Sequence, residues 1–394
     1  MRVCVVYDCL FPHTVGGAER WYRNLAERLA HEGHEVTYLT MRQWERGESA
    51  QIDNRVRVVS AGPRMSLYTA GGRRSTVPPL VFGLGVLLHL LRHGRRYDVV
   101  HTASFPYFSL LAAGAARRRG RFVLFVDWHE VWSRAYWREY LGPIGGAIGY
   151  AVQLAGARIA QRAFCFSRLH AERLRSEGLR GDVTVLEGEY AGAPQAAAPQ
   201  ASEQVVVFAG RMIPEKRAPA GVAGVAAAAE LIPGLRGVFY GDGPERGAVL
   251  ATITAHGAGD SIQAPGFVAA EEVETALRTA LCMLLPSRRE GYGMVVVEAA
   301  ALGTPSIVVA AEDNAATELI EEGINGFVAA SADPLAIAEA ILDVADGGIE
   351  LRRRTAEWFD ANARRLSLEA SLETVLAGYR TGDGRRELHR ITGE

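Results

Sequence analysis

The feature that most constrains the fold is an alternation of short apolar runs with amphipathic stretches, which occurs twice along the chain. Val3-Cys4-Val5-Val6-Tyr7 is apolar throughout and reads as a parallel strand buried on both faces. Gly16-Gly17-Ala18-Glu19 then opens a helix to about His31, with Trp21, Leu25, Ala26 and Leu29 on one face and Gly33 as its stop. Strands are expected over residues 35–39, 56–60, 98–101 and 121–126, the third of them after an apolar helix that begins near Leu80. Residues 191–204, rich in Ala, Pro and Gln, break the pattern and read as a linker. The alternation restarts beyond them: a strand over 205–209, a helix over 218–231, and strands over 237–240, 281–285 and 306–309. Strands separated by helices imply doubly wound parallel sheets, so the chain reads as α/β with two Rossmann-like domains in tandem. In such proteins ligands are expected between domains and beyond the carboxyl ends of strands.

Composition narrows the function classes. The 394 residues suit two domains, and 48% apolar with 22% charged residues is ordinary for a globular protein. A formal net charge of −2 gives no global case for nucleic-acid binding. Cys4, Cys9, Cys165 and Cys282 have no metal-ligand spacing, which fits a reducing cytoplasm and no disulfide framework. Residues 1–7 are too short for a signal peptide, and the apolar run 80–91 is too short to span a bilayer. Two segments nevertheless combine apolar and basic residues as an interfacial helix would: residues 80–96, with His93, Arg95 and Arg96, and the cluster Arg117, Arg118, Arg119 and Arg121. The alternative for each is a helix with cations in its last turn.

Four loops carry chemistry. Glu290-Gly291-Tyr292-Gly293-Met294-Val295-Val296-Val297-Glu298 follows a strand and enters a helix. Its glycines allow a ligand close to the backbone, and the amides of Tyr292, Gly293 and Met294 fall where free N–H groups attract anions. Glu290 can accept from sugar hydroxyls and Glu298 from a ribose. Phe208-Ala209-Gly210-Arg211-Met212-Ile213-Pro214-Glu215-Lys216 places two cations around a turn at a strand end. Arginine as a fork and lysine as a point charge suit a diphosphate whose charge grows as it leaves. Tyr240-Gly241-Asp242-Gly243-Pro244 is good turn chemistry anywhere, and Gly266-Phe267-Val268 is a base-contacting loop at most. Taken singly, each also reads as an ordinary turn or a pair of solvated cations.

In this order the motifs resemble the retaining glycosyltransferases of family 4: Gly-Arg-(x)4-Lys, Gly-Asp-Gly-Pro, Gly-Phe-Val and Glu-(x)7-Glu, followed by Asn314-Ala315-Ala316-Thr317-Glu318-Leu319 and Asn325-Gly326-Phe327. Gly16-Gly17-Ala18-Glu19 and His129 extend the resemblance over nearly the whole chain. It implies the GT-B fold, two Rossmann-like domains facing across a cleft, with no bound metal and no cofactor beyond the nucleoside diphosphate sugar itself. The expected layout is an acceptor domain over residues 1–190, the linker 191–204, a donor domain over 205–365, and a last helix near 366–380 rejoining the first domain.

By that resemblance Arg211 and Lys216 bind the donor diphosphate, Glu290 orients the donor sugar and Glu298 holds the ribose. Gly16, Gly17, Gly241, Phe267, Val268, Gly291, Tyr292, Gly293 and Met294 complete the donor set. His129 lies beside the reacting sugar, or alternatively packs among Trp128 and Trp132. Glu19, Asp127 and Glu130 are candidate acceptor contacts, and Glu130 alternatively caps the next helix. The aromatic group Trp128, Trp132, Tyr136, Trp137 and Tyr140 suits stacking on a sugar ring, contact with lipid or a buried cluster; the spacing 128, 132, 136, 140 puts four on one helical face, which favours packing. Where many relatives have Asn-Gly-Val-Asp before the linker, this chain has Leu186-Glu187-Gly188-Glu189-Tyr190, so Glu187 and Glu189 receive no role.

The implied reaction moves a sugar from a nucleoside diphosphate sugar, UDP-linked first and GDP-linked second, to an acceptor hydroxyl with retention of configuration. The acceptor is a glycan, a glycolipid or a small metabolite. The competing readings are a nucleotide-sugar 2-epimerase on the same fold and a non-catalytic partner of another transferase. No Gly-x-Gly-x-x-Gly follows the first strand, which removes support for a dinucleotide-dependent oxidoreductase. The expected location is cytoplasmic, with possible peripheral contact at the cytoplasmic membrane face.

Overall fold

The computed structural model describes residues 1–45, 47–66, 75, 77–198 and 200–392, with side chains through Thr381. The chain divides into two compact units, Met1–Glu187 with Glu369–Glu394, and Gly188–Leu368.

The first unit carries strands β1 (Arg2–Val6), β2 (Glu35–Met41), β3 (Val56–Gly62), β4 (Val99–Ala103), β5 (Val123–Trp128), β6 (Gln161–Cys165) and β7 (Gly181–Val185). They form one parallel sheet in the order β3-β2-β1-β4-β5-β6-β7. Its helices are α1 (Gly17–His31), α2 (Val77–His93), α3 (Phe108–Gly120), α4 (Arg134–Ala157) and α5 (Arg168–Ser176). The strands are apolar runs because both faces are covered: Val3, Cys4, Val5 and Val6 are fully buried. Helix α1 buries the stripe its spacing announces, Trp21, Leu25, Ala26 and Leu29.

Two sequence expectations change here. The apolar helix starts at Val77 and, with the turn that follows, runs as 20 residues to Arg96, long and apolar enough to cross a membrane by length. It does not stand alone, because it packs on α3 and β3. The Trp128, Trp132, Tyr136, Tyr140 series is not one helical face either. Trp128 ends β5 in the core, Trp132 lies in the loop, and the helix begins only after Ser133, whose side chain caps it by accepting from the Tyr136 amide. Trp132 still packs against Tyr136 and Tyr140, at ring-centroid distances of 4.9 and 5.3 Å.

The second unit repeats the plan with β8 (Val205–Ala209), β9 (Arg236–Tyr240), β10 (Ile262–Gly266), β11 (Cys282–Leu285), β12 (Arg289–Glu290), β13 (Ser306–Val309), β14 (Asp313–Asn314) and β15 (Gly326–Ala329). Its main sheet is parallel in the order β10-β9-β8-β11-β13-β15, and β12 pairs with β14 alone. This is the Rossmann order, with a reversal of direction between β8 and β11. Helices α6 (Ala218–Ala229), α7 (Arg246–Ala255), α8 (Ala270–Thr279), α9 (Met294–Ala301) and α10 (Pro334–Leu366) cover it. Arg352 of α10 is fully buried because its guanidinium donates to the Arg278 and Ala280 carbonyls, the open end of α8.

Residues 191–204, read from composition as a linker, run along the second unit. The Ala197 amide donates to the Ala301 carbonyl and the Glu203 amide to the Thr279 carbonyl. The last helix, α11 (Leu368–Thr392), returns the chain to the first unit, where Glu369 pairs with Arg28 at 2.7 Å and Tyr379 is fully buried. All four cysteines are buried free thiols. Burial pushes Cys4 and Cys282 up to about 12, which leaves them protonated and unreactive near neutral pH.

Candidate functional site

In the second unit the candidate donor residues gather at the carboxyl ends of β8, β9, β10 and β11. The loops after β8, β9 and β10 are laced by backbone hydrogen bonds: the Gly210 amide to the Tyr240 carbonyl, the Met212 amide to the Asp242 carbonyl, and the Gly241 amide to the Gly266 carbonyl. This lacing is why the second loop needs glycine. Gly241 has φ +127°, and a Cβ there would lie 1.8 Å from the Gly210 carbonyl oxygen, a backbone atom that cannot yield. Gly241→Ala is expected to lower the stability of the second unit by at least about 2 kcal/mol, through strain and clash together. A denaturation midpoint equal to that of the parent protein would show that the loops are not held this closely.

Across the reversal between β8 and β11, two loops meet through side chains. Lys216, in the turn Pro214–Lys216 after β8, donates from Nζ to Glu290 Oε1 at 2.5 Å, and Glu290 belongs to β12 after β11. Both side chains are largely buried, at 20% and 11% exposure. The Arg288 amide also donates to the Glu215 carbonyl, a second tie between the same loops. Arg211 is exposed, and among the described residues it has no ion-pair or hydrogen-bond partner.

Asn314, which the sequence reading placed in a motif without giving it a role, is the organiser of this loop. It is fully buried on β14 and pairs with Glu290 in register. Its Nδ2 donates to the Ser287 and Val309 carbonyls, and its Oδ1 accepts from the Ala316 amide. It thereby holds the Glu290 loop against the end of β13. The Asn-(x)3-Glu motif was legible in the sequence, but this bracing role needs the three-dimensional neighbours.

The Gly293 turn then starts α9. Gly293 has φ +108° and a Cβ there would meet the Ala316 side chain at 2.7 Å. The N-cap of α9 is Gly293, which has no side chain to accept from the first-turn amides next to the Glu290 loop. Gly291 is half-buried and Tyr292 is buried; Glu298 stands exposed one turn into the helix from Met294, close enough to Tyr190 to raise its phenol pKa, an effect that adds to burial. Phe267, after β10, is 82% exposed, and Val268 beside it is half-buried. An aromatic ring held in water at a strand end costs hydrophobic free energy that a stacked ring would recover.

In the first unit, Gly16 precedes α1 and Gly17 is its first residue. Glu19 is buried and folds back over them, such that a Cβ on Gly16 would lie 2.3 Å from Glu19 Oε2. A carboxylate in the first turn suits the helix dipole, so Glu19 has a structural task at the helix start.

His129 follows β5. It stacks on Phe166, with centroids 4.4 Å apart and rings 10° from parallel, and meets Tyr22 edge-on. Its aromatic neighbours are therefore not the expected Trp128 and Trp132. Burial drives the imidazole pKa down to about 4, against the pull of Asp127, so the ring is neutral near pH 7. Its Nε2 is buried and, among the described residues, has no hydrogen-bond partner.

Asp127 corrects the sequence reading. It was a candidate acceptor contact, but it is fully buried, and both oxygens are engaged: Oδ2 by Trp21 Nε1 at 2.7 Å and Oδ1 by His101 Nε2 at 2.7 Å. His101 Nδ1 is in turn 2.5 Å from the Tyr379 hydroxyl on α11. The missed residues His101 and Tyr379 are separated by 278 positions, and no local signal joins them. Glu130 remains at the surface of the loop, where it accepts from Trp132 Nε1 at 2.7 Å and does not cap α4.

Two sheets of this order, each with its carboxyl-end loops dressed in this way, are those of the GT-B glycosyltransferases. Comparison with known proteins agrees. A family model described as glycosyltransferase family 4 matches residues 15–187, and one described as glycosyl transferases group 1 matches 193–361. The chain belongs to the family 4 glycosyltransferases of GT-B fold.

Among curated proteins, the alpha-D-kanosaminyltransferase of Streptomyces kanamyceticus is 33% identical over 181 residues, 45% of each chain. The D-inositol 3-phosphate glycosyltransferase of Segniliparus rotundus is 30% identical over 183 residues, 45% of this chain and 40% of its own. The matched segments thus span less than half of these relatives' length. Among solved structures, the sucrose-phosphate synthase of Thermosynechococcus elongatus superimposes with a TM-score of 0.76 at 18% identity, covering 96% of this chain and 98% of its own. HepE of Anabaena, in complex with UDP, gives 0.72 at 18% identity, covering 97% and 100%. At such identities the likeness is one of fold.

Proposed function

We propose that the protein transfers a sugar from a nucleoside diphosphate sugar to an acceptor hydroxyl, with retention of anomeric configuration. The observation that carries this reading is the Lys216–Glu290 pair at the point where the strand order of the second unit reverses. That is where open parallel sheets bind ligands. A cation and a carboxylate side by side there match the two ends of a diphosphate-linked sugar. Lys216 and Arg211 offer positive charge to the diphosphate, and the amides that open α9 offer donors. Glu290 accepts from hydroxyls of the sugar.

The chemistry asked of the protein is modest. The bond from the anomeric carbon to the diphosphate oxygen breaks, and the leaving group keeps the electron pair. Arg211 and Lys216 stabilise that growing charge, and the departing phosphate takes the proton of the acceptor hydroxyl as the new glycosidic bond forms on the same face. On the first unit, His129 presents a neutral ring whose Nε2 is unsatisfied within the described protein. A hydrogen bond to a sugar hydroxyl would satisfy it. The exposed Phe267 suits stacking on a nucleotide base. A uridine diphosphate sugar is the favoured donor and a guanosine diphosphate sugar the second; HepE of Anabaena, similar in fold, is solved with UDP and with UDP-glucose. No metal or further cofactor is invoked.

A thermal-shift panel of nucleoside diphosphates and their sugars tests the donor directly. A ligand present at 100 times its dissociation constant adds about 2.7 kcal/mol, a shift of several degrees. One base is expected to stand out, and its sugar conjugate to stabilise further. A flat response across all nucleotides at millimolar concentration would remove the donor assignment.

A further inference from the structure

We propose that the first unit docks on an anionic lipid bilayer through the outer faces of α2 and α4, with the arginines at the ends of α2 and α3 holding the headgroups. The inference stands on surface chemistry alone and does not depend on the transfer reaction.

Helix α2 presents a stripe of large aliphatic side chains to solvent. Leu80, Leu84, Leu88 and Leu91 recur at spacings of three and four residues and are 50%, 58%, 47% and 37% exposed. The opposite face, Phe82, Val86 and Leu90, is fully buried. The helix cannot roll to hide the stripe, because it is seated by close contacts. A Cβ on Gly83 would lie 2.6 Å from Phe108 Cβ, and one on Gly85 would lie 1.7 Å from the Ala61 carbonyl oxygen.

Helix α4 adds to the same layer. The crossovers β3 to β4, β4 to β5 and β5 to β6 all step in one direction across the sheet, so their right-handedness puts α2, α3 and α4 on one face. From the residue before the break at Gly142 to the end of the helix, residues 141–157 contain no charged residue, and Leu141, Ile144 and Ile148 are 45%, 80% and 61% exposed.

Charge identifies the occupant. Within a chain of net charge −2, residues 65–126 hold nine arginines and a single acidic residue, Asp98, which is paired with Arg2. Six of the arginines are exposed where α2 and α3 end: Arg92, Arg95, Arg96, Arg118, Arg119 and Arg121. The two ends touch, since a Cβ on Gly94 would meet Gly120 Cα at 3.1 Å and Arg95 Nε donates to the Arg119 carbonyl. Neither α2 nor α3 contains an acidic residue, so a second copy of these helices would bring only more arginine to the cluster. An apolar stripe flanked by unopposed cations is the surface that anionic headgroups and the acyl boundary complement together. Since α2 is packed on one side against α3 and β3, it would lie along the membrane rather than cross it.

The experiment is co-flotation of the full-length protein with two kinds of vesicle, phosphatidylcholine alone and an equal mixture with phosphatidylglycerol. Partition onto the anionic vesicles is expected to be at least about tenfold stronger, and to weaken as salt shortens the screening length. L84E/L88E alters exposed positions, so it should keep the parent far-UV spectrum and melting temperature while losing about tenfold or more of the binding. R118A/R119A should lose the preference for anionic lipid and keep the weak binding to the neutral vesicles. The proposal is overturned if the parent protein stays in solution with both vesicles, if it binds both equally, or if L84E/L88E binds as the parent does. It is also overturned if the parent is a lipid-independent dimer that L84E/L88E dissolves, since the stripe would then be an interface between copies. None of these readouts measures sugar transfer, so failure here leaves the donor assignment untouched.

Discussion

Turnover in Arg211→Ala and Lys216→Ala is expected to fall by about 100- to 1,000-fold each, the loss typical of removing one preorganised donor from a developing negative charge. The two variants differ in what else they disturb. Arg211 is exposed, so its removal should leave the melting temperature of the second unit unchanged. Lys216 is largely buried against Glu290, so its removal takes a buried ion-pair partner from that carboxylate and should lower stability measurably. Glu290→Gln separates the partners' roles. Nucleotide binding, read by thermal shift, should be less affected than turnover, because the carboxylate is assigned to the sugar. In the double variant Lys216→Ala with Glu290→Gln the two stability losses should not add, since each single change already removes the same ion pair. Near-normal turnover in both cation variants would sink the donor site, and unchanged sugar transfer in Glu290→Gln would remove Glu290 from it.

The second large effect is structural. Asp127→Asn should cost the first unit about 3–5 kcal/mol, the usual cost of removing one charged member of a fully buried, hydrogen-bonded group from its partners. In a unit of this size that lowers the melting temperature by roughly 10 °C. Asp127 joins Trp21 of α1, His101 of β4 and, through His101, Tyr379 of α11, so three segments lose a common partner. Burial by itself would raise the Asp127 pKa, but the pull and hydrogen bond of His101, with smaller help from His129 and Trp21, hold it below the ordinary carboxylate value. The sign of the pH dependence follows. A carboxylate with a depressed folded-state pKa stabilises the native state above the unfolded value, near 4, and that stability is lost as pH falls through the folded value. The acid limb below about pH 4 should therefore be shallower in Asp127→Asn than in the parent, as read by urea midpoints against pH. An Asn variant as stable as the parent at neutral pH, with the same acid limb, would show that the buried pair contributes nothing.

Both expectations show where the sequence was sufficient. Strands such as Val205–Ala209 and Ser306–Val309 coincide with their apolar runs, because a strand covered on both faces has no polar alternation to confuse the reading. The α1 stripe was equally plain, because its four core positions follow helical spacing within one short segment. The donor loops were legible because each is a local string: glycines, cations and carboxylates at short spacing after a strand.

Residues whose role depends on distant neighbours were not legible. Asp127 sits in the same tripeptide as His129; the resemblance made His129 a candidate ligand contact, and Asp127 followed as a carboxylate in the same loop. The structure separates them by their partners: Asp127, inside β5, is held by Trp21 and His101, while His129, past the strand end, has a buried Nε2 with no hydrogen-bond partner among the described residues. The aromatic series from Trp128 to Tyr140 misled for a related reason. A constant spacing of four implies one helix face only if one helix spans it, and the end of β5 and the Ser133 cap interrupt it.

The sequence by itself determined two parallel α/β units and the order of the donor loops, since periodicity and short motifs are properties of contiguous residues. Only the tertiary structure decided that Lys216 meets Glu290, that Asn314 braces their loop, that Asp127 belongs to the core, and that the leucines of α2 face outward. Each of these depends on which segments the sheet order makes neighbours, and that is set by the packing of the whole unit rather than by any stretch within it.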